Sequence, residues 1–494
     1  MPGPGRAPGA SLAPRRPFRD GREKRGLCDP EELSVLAERV GELAAAEARR
    51  LVHGAAGLLR GGEQGVLEAI ERAAQQAGAR IGLAALAGVI DWAGQDTPTQ
   101  APCPGQGHGA RLVTRRARTV RTLLGALQLS RGYYHCATCR EGFAPLDLVL
   151  DVAGTSLSPG LSRACALAGA EMPYEKSRQF IATVTGLDLA STSTLARTTR
   201  AQGRRARVLI GAEHTTAARA TATPAPAPGE GPDVCYIVLD GTGAPMLPSE
   251  TTGRPGKDGG RAGTREVKIG CFFTQSGRDP ATGEPVQDPD SATYISTFEP
   301  AATFATHAKA EYHRRGFDHI RQPIVLGDGA KWIWNIADTH FTHATQIVDY
   351  FHAREHLADL TKLLTLVLDD PGAFEADLVD QLDLGHTAAI AAAVDRLDLS
   401  DHAPDLARPA ATEVAYFTTN HHRMQYADFR ANGYYIGSGP VEAACNTIVK
   451  QRAKRAGMHW TIHGLDPVLA LRTLHQSRRD DLLWPTTTSP TPQT

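Results

Sequence analysis

Cysteine is scarce. Eight residues, at positions 28, 103, 136, 139, 165, 235, 271 and 445, are spread over 494 with a single close pair. That excludes the dense disulfide framework of a small secreted domain and implies mostly reduced, buried thiols. Long apolar runs are missing as well: no stretch reaches the roughly 18 residues of a membrane-spanning helix. The N-terminus holds Pro, Gly and Arg where a signal peptide would be apolar, so the sequence reads as soluble and intracellular, with no membrane partner. Net positive charge is also lacking, since 53 Lys and Arg against 54 Asp and Glu leave −1. A uniformly basic chain that coats nucleic acid is thereby excluded, and any such contact must come from local patches. The remaining composition, 41% hydrophobic and 22% charged, is globular, and the length suits several cores of about 100–200 residues each.

Residues 1–27, rich in Pro, Gly and Arg, read as a disordered basic arm. Within 28–98, Leu33, Leu36, Val40 and Leu43, then Val66, Ile70, Ala73 and Ala74, recur at three- and four-residue intervals, predicting two helices around Gly61-Gly62. Residues 99–152 alternate and are turn-rich, as in Leu127-Gln128-Leu129-Ser130-Arg131-Gly132, which predicts a small β-module. Over 153–214 the spacing is helical again, near Leu161–Ala168, over Tyr174–Thr185 and onward from Ser191, an order that suggests a helix-turn-helix. The Ala, Thr, Pro and Gly of 215–232 mark an exposed linker and the main domain boundary.

Strands are then expected at Cys235–Leu239, Val267–Thr274, Tyr294–Phe298, Pro323–Leu326 and Ala344–Tyr350, with helices over Phe304–Arg315 and Lys331–Thr339. Three strands able to pair as a meander, followed by alternating helices and strands, are what an α/β ribonuclease-H-like domain over 233–352 requires. Residues 353–432 read as an acidic α-helical insertion, 433–484 as the C-terminal helices of the core, and 485–494 as a Pro/Thr tail without structure.

Three acidic residues stand out. Asp240 ends the first apolar strand and Asp328 the fourth, each followed by Gly, while Glu442 sits early in a helix that Ser438 can cap and Pro440 can start. Carboxylates converging from such elements suit two Mg²⁺ or Mn²⁺ ions, because hard cations take oxygen ligands and neutralise the attacking and leaving oxygens of a phosphodiester. Taken singly, each residue has a bland alternative: a strand-end Asp forms turns, and an early-helix Glu complements the helix dipole. The three together favour the metal reading.

Leu239-Asp240-Gly241-Thr242-Gly243, Leu326-Gly327-Asp328-Gly329-Ala330-Lys331-Trp332 and Gly437-Ser438-Gly439-Pro440-Val441-Glu442 resemble the DDE transposases of the Kra-type insertion sequences of bacteria. The similarity extends over about residues 100 to 484 and includes Gly457-Met458-His459-Trp460. The resemblance implies a catalytic triad of Asp240, Asp328 and Glu442 that cleaves and transfers DNA strands. It also implies a partner in double-stranded DNA at transposon ends and targets, a homo-oligomer on that DNA, and a place in the bacterial nucleoid. Asp349-Tyr350-Phe351-His352 resembles an Asp-x-x-His element of related transposases with a helical insertion. His352 would orient a phosphate or leaving group, or else make only a structural hydrogen bond.

For DNA contact the candidates are Lys331, Lys450, Arg452, Lys454 and Arg455 near the acidic residues; Lys257, Arg261 and Arg265 around the glycines of 253–263; and Ser191, Thr192, Arg197 and Arg200 at a helix start. Solvated faces, an exposed loop and plain helix packing are the competing readings, and Trp460 reads as core. Cys136 and Cys139 have zinc-knuckle spacing, and Cys103 with His108 would complete a structural Zn²⁺ site, which the resemblance also suggests. Gln106 stands where a second knuckle would hold its cysteine. Two rivals remain. Asp240-Gly241-Thr242-Gly243 is like the phosphate turn of an actin-like ATPase or sugar kinase, though no second such turn follows. A domesticated, non-catalytic DNA-binding transposase is the other.

Overall fold

The computed structural model describes residues 30–485 except 63, 96, 106, 220–231, 257–258 and 398–403. The expected arm at 1–27, most of the 215–232 linker, Lys257, Gln106 and nearly all of the 485–494 tail lie outside the described residues. Among the described residues no helix is long and apolar enough to cross a membrane. Two compact units divide between Ser158 and Pro159.

In the smaller unit, α1 (Pro30–Arg60) and α2 (Val66–Ala93) pack together across a turn at Gly62, whose φ of 67° suits glycine. Glu47, buried between them, holds Arg50 and Arg80. An antiparallel sheet follows, of β1 (Gln100–Pro102), β2 (Gly109–Thr122), β3 (Gly125–Cys136) and β4 (Glu141–Phe143), in that spatial order. Leu127, Leu129 and Val120 of the β2–β3 hairpin pack on Ile90 of α2. The short α3 (Pro145–Val149) supplies Asp147, which accepts Arg118 and Arg131 together.

The larger unit begins with three helices, α4 (Pro159–Glu171), α5 (Tyr174–Thr185) and α6 (Thr192–Ala217). Gly186 ends α5 at φ 68°, and the Ser191 hydroxyl caps α6 by accepting the N–H of Thr194. A mixed five-stranded sheet is its centre. β5 (Val234–Pro245) and β6 (Thr264–Gln275) form a long antiparallel pair. After a minor hairpin, β7 (Gly277–Arg278) with β8 (Pro285–Val286), β9 (Thr293–Thr297) adds antiparallel to β6. α7 (Ala301–Arg314) then leads to β10 (Gln322–Gly327), parallel to β5, and α8 (Lys331–His340) to β11 (Thr345–Val348), parallel to β10. The spatial order is β9-β6-β5-β10-β11, an α/β arrangement with a meander on one side. Cys235–Leu239 are buried without alternation, as expected of a strand covered on both faces.

The helices of 353–432 are present as α9 (Tyr350–Leu364), α10 (Pro371–Asp383), α11 (Thr387–Asp395), α12 (Pro404–Thr419) and α13 (Tyr426–Ala431). The fifth strand is shorter than the sequence suggests. It stops at Val348, and Tyr350, Phe351 and His352 form the first turn of α9, because the Asp349 carboxylate accepts the N–H groups of Phe351 and His352 and caps a helix there. The chain closes with α14 (Gly439–Ala444), a π-turn over Cys445–Lys450, α15 (Gln451–Ala453), α16 (Ile462–Gln476) and α17 (Asp480–Leu483).

α6 lies against α16 so closely that a Cβ on Gly203 would collide with the carbonyl of Pro467, which is backbone and cannot swing aside. Gly203→Ala is therefore expected to destabilise the protein by about 1–3 kcal/mol despite the better helix propensity of Ala, read as a lower urea midpoint. An unchanged or raised midpoint would contradict this packing.

Candidate active site

Val234–Val238 of β5 pair in parallel with Gln322–Leu326 of β10. β5 does not end at Asp240 as the sequence suggests: Asp240 is still paired with Ile269 of β6, but it lies just past the end of the parallel ladder with β10, and Asp328 lies just beyond β10. Both therefore stand at the carboxyl edge of the parallel pair, where open α/β sheets hold ligands. Burial pushes the Asp240 carboxyl above the usual carboxylate range and the charge of Asp328 adds to the rise. The Cys445 thiol and the N–H of Gly241 act in the opposite sense. These two donors lie 3.0 Å from Oδ2 and 2.6 Å from Oδ1 of Asp240. Burial also raises the Cys445 thiol, with Asp240 adding to it, so the thiol stays protonated and donates.

Asp328 accepts the N–H of Ala330 at 3.0 Å. Gly329 has φ 98°, and a Cβ there would meet the Tyr416 ring at 2.6 Å, so glycine is required on two counts. Tyr416, from α12, donates its hydroxyl to the Asp328 carbonyl at 3.2 Å. Its ring stacks on His356 with centroids 3.7 Å apart, and His356 Nδ1 lies 2.6 Å from Glu413 Oε2. The helical insertion thus grips the turn that carries Asp328.

Glu442 is exposed in the first turn of α14, with Oε1 3.4 Å from the Ser438 hydroxyl. Ser438 is not the side-chain cap that the sequence suggests; its N–H is drawn instead to Asp349. Cys445 follows Glu442 by three residues and so shares its helical face. Because the Cys445 sulfur touches Asp240, Glu442 is carried about one turn from that aspartate. The three carboxylates are nevertheless not gathered: among the described residues only Cys103, Cys136 and Cys139 bring three such ligand atoms within 4.8 Å of one another. Like charges repel, and the Glu442 carboxylate is turned to Ser438.

Asp349 is fully buried. Its Oδ1 accepts Phe351 and His352 N–H at 2.6 and 3.0 Å, and its Oδ2 accepts Ser438 N–H at 2.5 Å. Its own N–H donates to the Gly327 carbonyl at 2.8 Å. For His352, burial disfavours the charged ring, but the hydrogen bond to Glu355 and the charges of Asp349, Glu355 and Asp328 outweigh it, and the imidazole is held above its ordinary range.

The basic candidates divide. Lys331, Lys450, Arg197, Arg200 and Arg455 are exposed. Lys454 donates to Thr242 Oγ1 at 3.0 Å, two residues from Asp240. Arg261 and Arg265 donate to the carbonyls of Pro248 and Glu250 at 2.9 and 3.3 Å, while Lys257 lies outside the described residues. Thr192 is engaged by Glu175 at 2.5 Å. Arg452, expected to face phosphates, is only 1% exposed. It donates to the Gly169 carbonyl at the end of α4 and lies between the rings of Tyr174 and Trp460, 5.0 and 4.9 Å from their centroids. Orphan carbonyls of a helix end recruit it into the core, and Arg472 does the same at Ala170. Trp460 is correspondingly half-buried, its N–H on the Ala453 carbonyl.

In the smaller unit the Cys103 and Cys139 sulfurs lie 3.6 Å apart, and His108 Nδ1 is 3.4 Å from Cys139. The backbone N–H of Cys139 leads the influences that bring the Cys136 thiol down to about 7. Contact with Cys103, then burial, pushes Cys139 up to about 12. Such a sulfur group can hold a soft or borderline metal ion. Compared with models of known protein families and with curated proteins, the chain matches none.

Cys445, Tyr416, His356 and Glu413 are site residues that the sequence did not single out. Asp349 entered only as the first residue of the Asp-x-x-His element at the end of an expected strand, and its role as the cap of α9 was not foreseen. In an NMR titration His352 is expected to keep its proton above the ordinary 6.5, and Glu355→Gln to lower the midpoint. The stability this contributes is complete below the unfolded pKa and disappears as pH rises through the folded one. A midpoint at or below the ordinary value would contradict the assigned partners.

Proposed function

We propose that the chain is a DDE transposase of the Kra type, with a ribonuclease-H-like catalytic domain that cleaves and joins DNA strands through Asp240, Asp328 and Glu442. The observation that carries this reading is the placement of Asp240 and Asp328 side by side at the carboxyl edge of the parallel β5–β10 ladder, with the helix of Glu442 tethered to Asp240 through Cys445. The sheet supports it. In sequence order its strands run 3-2-1-4-5 across the sheet, with the helical segment of 353–432 preceding Glu442, the architecture that such a domain requires.

The donor set fits Mg²⁺ or Mn²⁺: three carboxylates, one of them raised by burial and by its neighbour, are a site short of positive charge. Bound there, divalent ions would supply an activated nucleophile and stabilisation of the leaving oxygen. The protein's own part is positional. Asp240 and Asp328 are fixed by the sheet, and Glu442 closes toward them on leaving Ser438. His352, whose imidazole is held above its ordinary range, donates to a phosphate oxygen. Lys450, Lys454 and Arg455 steer the DNA backbone by charge. In this reading the sulfur group of Cys103, Cys136 and Cys139, with His108, holds one structural zinc. The chain works as an oligomer on transposon ends in the nucleoid.

Asp240→Asn is expected to lower strand cleavage by roughly 10³-fold or more, about 4 kcal/mol of barrier, in an assay with labelled ends and Mg²⁺, while end binding persists. Retained cleavage would refute the assignment. Elemental analysis should find one zinc per chain, lost in Cys139→Ser, and a chelator should unfold the β-module before the larger unit. A metal-free chain with the same stability would contradict the zinc reading.

A further inference from the structure

The β2–β3 hairpin carries a charge pattern that the catalytic reading does not use. Residues 109–136 hold six arginines and no acidic residue, in a chain whose net charge is −1. Arg118 and Arg131 are neutralised by Asp147. Arg111, Arg115 and Arg116 are exposed, and among the described residues no carboxylate pairs with them. Glu141 on β4 is the one acidic side chain of this four-stranded sheet.

Arg111 and Arg116 are five residues apart, and in a regular strand they would face opposite sides. A bulge between Leu112 and Thr114 slips the register by one. Arg111 then stands opposite His135, Thr114 opposite Tyr133 and Arg116 opposite Arg131. Those partners are alternate residues of β3, so the bulge brings Arg111 and Arg116 to one face. There the Arg116 guanidinium lies 3.7 Å from the centroid of the Tyr133 ring, and that ring covers Gly142, where a Cβ would strike its hydroxyl. Arg115, on the opposite side, is held by the Thr97 hydroxyl and the Ser130 carbonyl at 3.1 and 3.2 Å. Arg115 and Arg116 therefore have little rotamer freedom left to lose on binding.

We infer that this ribbon is a docking surface for the phosphate backbone of duplex DNA, with Arg111, Arg115 and Arg116 as its contacts. Two strands about 4.8 Å apart fit within a major groove about 12 Å wide. Guanidinium groups with no carboxylate partner match phosphate in both charge and fork geometry. The inference extends the transposase reading to a second DNA-handling surface, yet it rests on the ribbon's own residues and not on the three carboxylates.

The test uses the full chain and a random-sequence duplex, with binding followed by fluorescence anisotropy between about 50 and 200 mM KCl. Replacing Arg111, Arg115 and Arg116 together by Ala is expected to reduce the slope of log K against log salt by about 2.7, or about 0.9 per lost contact. Circular dichroism and metal content should not change. The triple Lys variant should restore the slope, because the charge and not the side-chain shape sets it. A wild-type slope in the Ala variant overturns the ribbon and leaves the transposase reading standing. Absence of any salt-dependent duplex binding by the wild-type chain overturns both.

Discussion

The buried carboxylate of Asp349 holds together three segments that are far apart in sequence. One oxygen starts α9 and with it His352; the other takes the N–H of Ser438, four residues before Glu442; and the backbone N–H is fixed to Gly327, beside Asp328. A buried carboxylate is costly unless its lone pairs are met, and here three backbone donors meet them, each contributing about 1.5–3 kcal/mol. Tyr350 N–H on the Ile436 carbonyl at 2.9 Å repeats the same tie one residue on. The positions of Asp328, His352 and Glu442 relative to one another follow from this group more than from any contact among themselves.

The helical insertion serves the same end. Tyr416, stacked on His356 and backed by Glu413, lies against Gly329 and fixes the carbonyl of Asp328. On the other side of the sheet's end, Cys445 fastens the last helical segment to Asp240. Its π-turn over Cys445–Lys450 widens the helix directly after Glu442, a distortion that recurs at functional sites. Asp240, Asp328 and Glu442 each accept a hydrogen bond from an uncharged donor: Cys445 and Gly241, Ala330, and Ser438 respectively.

Much of the architecture was legible because it follows local rules. Apolar runs of the right length became strands, Ser191 capped its helix, and the Gly after Asp328 proved to need a positive φ. The α/β order of the larger unit was legible for the same reason. What was not legible depends on tertiary partners. Arg452 resembles a surface cation in sequence, and only the end of α4, nearly 300 residues earlier, makes it a core residue. Ser438 has the chemistry of a cap, but Asp349 takes its N–H and the hydroxyl turns to Glu442. Tyr350–His352 continue an apolar pattern, so strand and helix could be told apart only by which group accepts their N–H bonds. Cys445 looks like one more buried thiol until Asp240 is set beside it.

The account stands or falls on whether three carboxylates that are apart in the free protein close around a divalent ion. Crystals soaked in Mn²⁺ and measured at its absorption edge address this directly. The expected result is an anomalous peak in contact with Asp240 and Asp328, with Glu442 turned from Ser438 to join them. A chain saturated with Mn²⁺ elsewhere, with no peak at the aspartates and Glu442 still on Ser438, would contradict it.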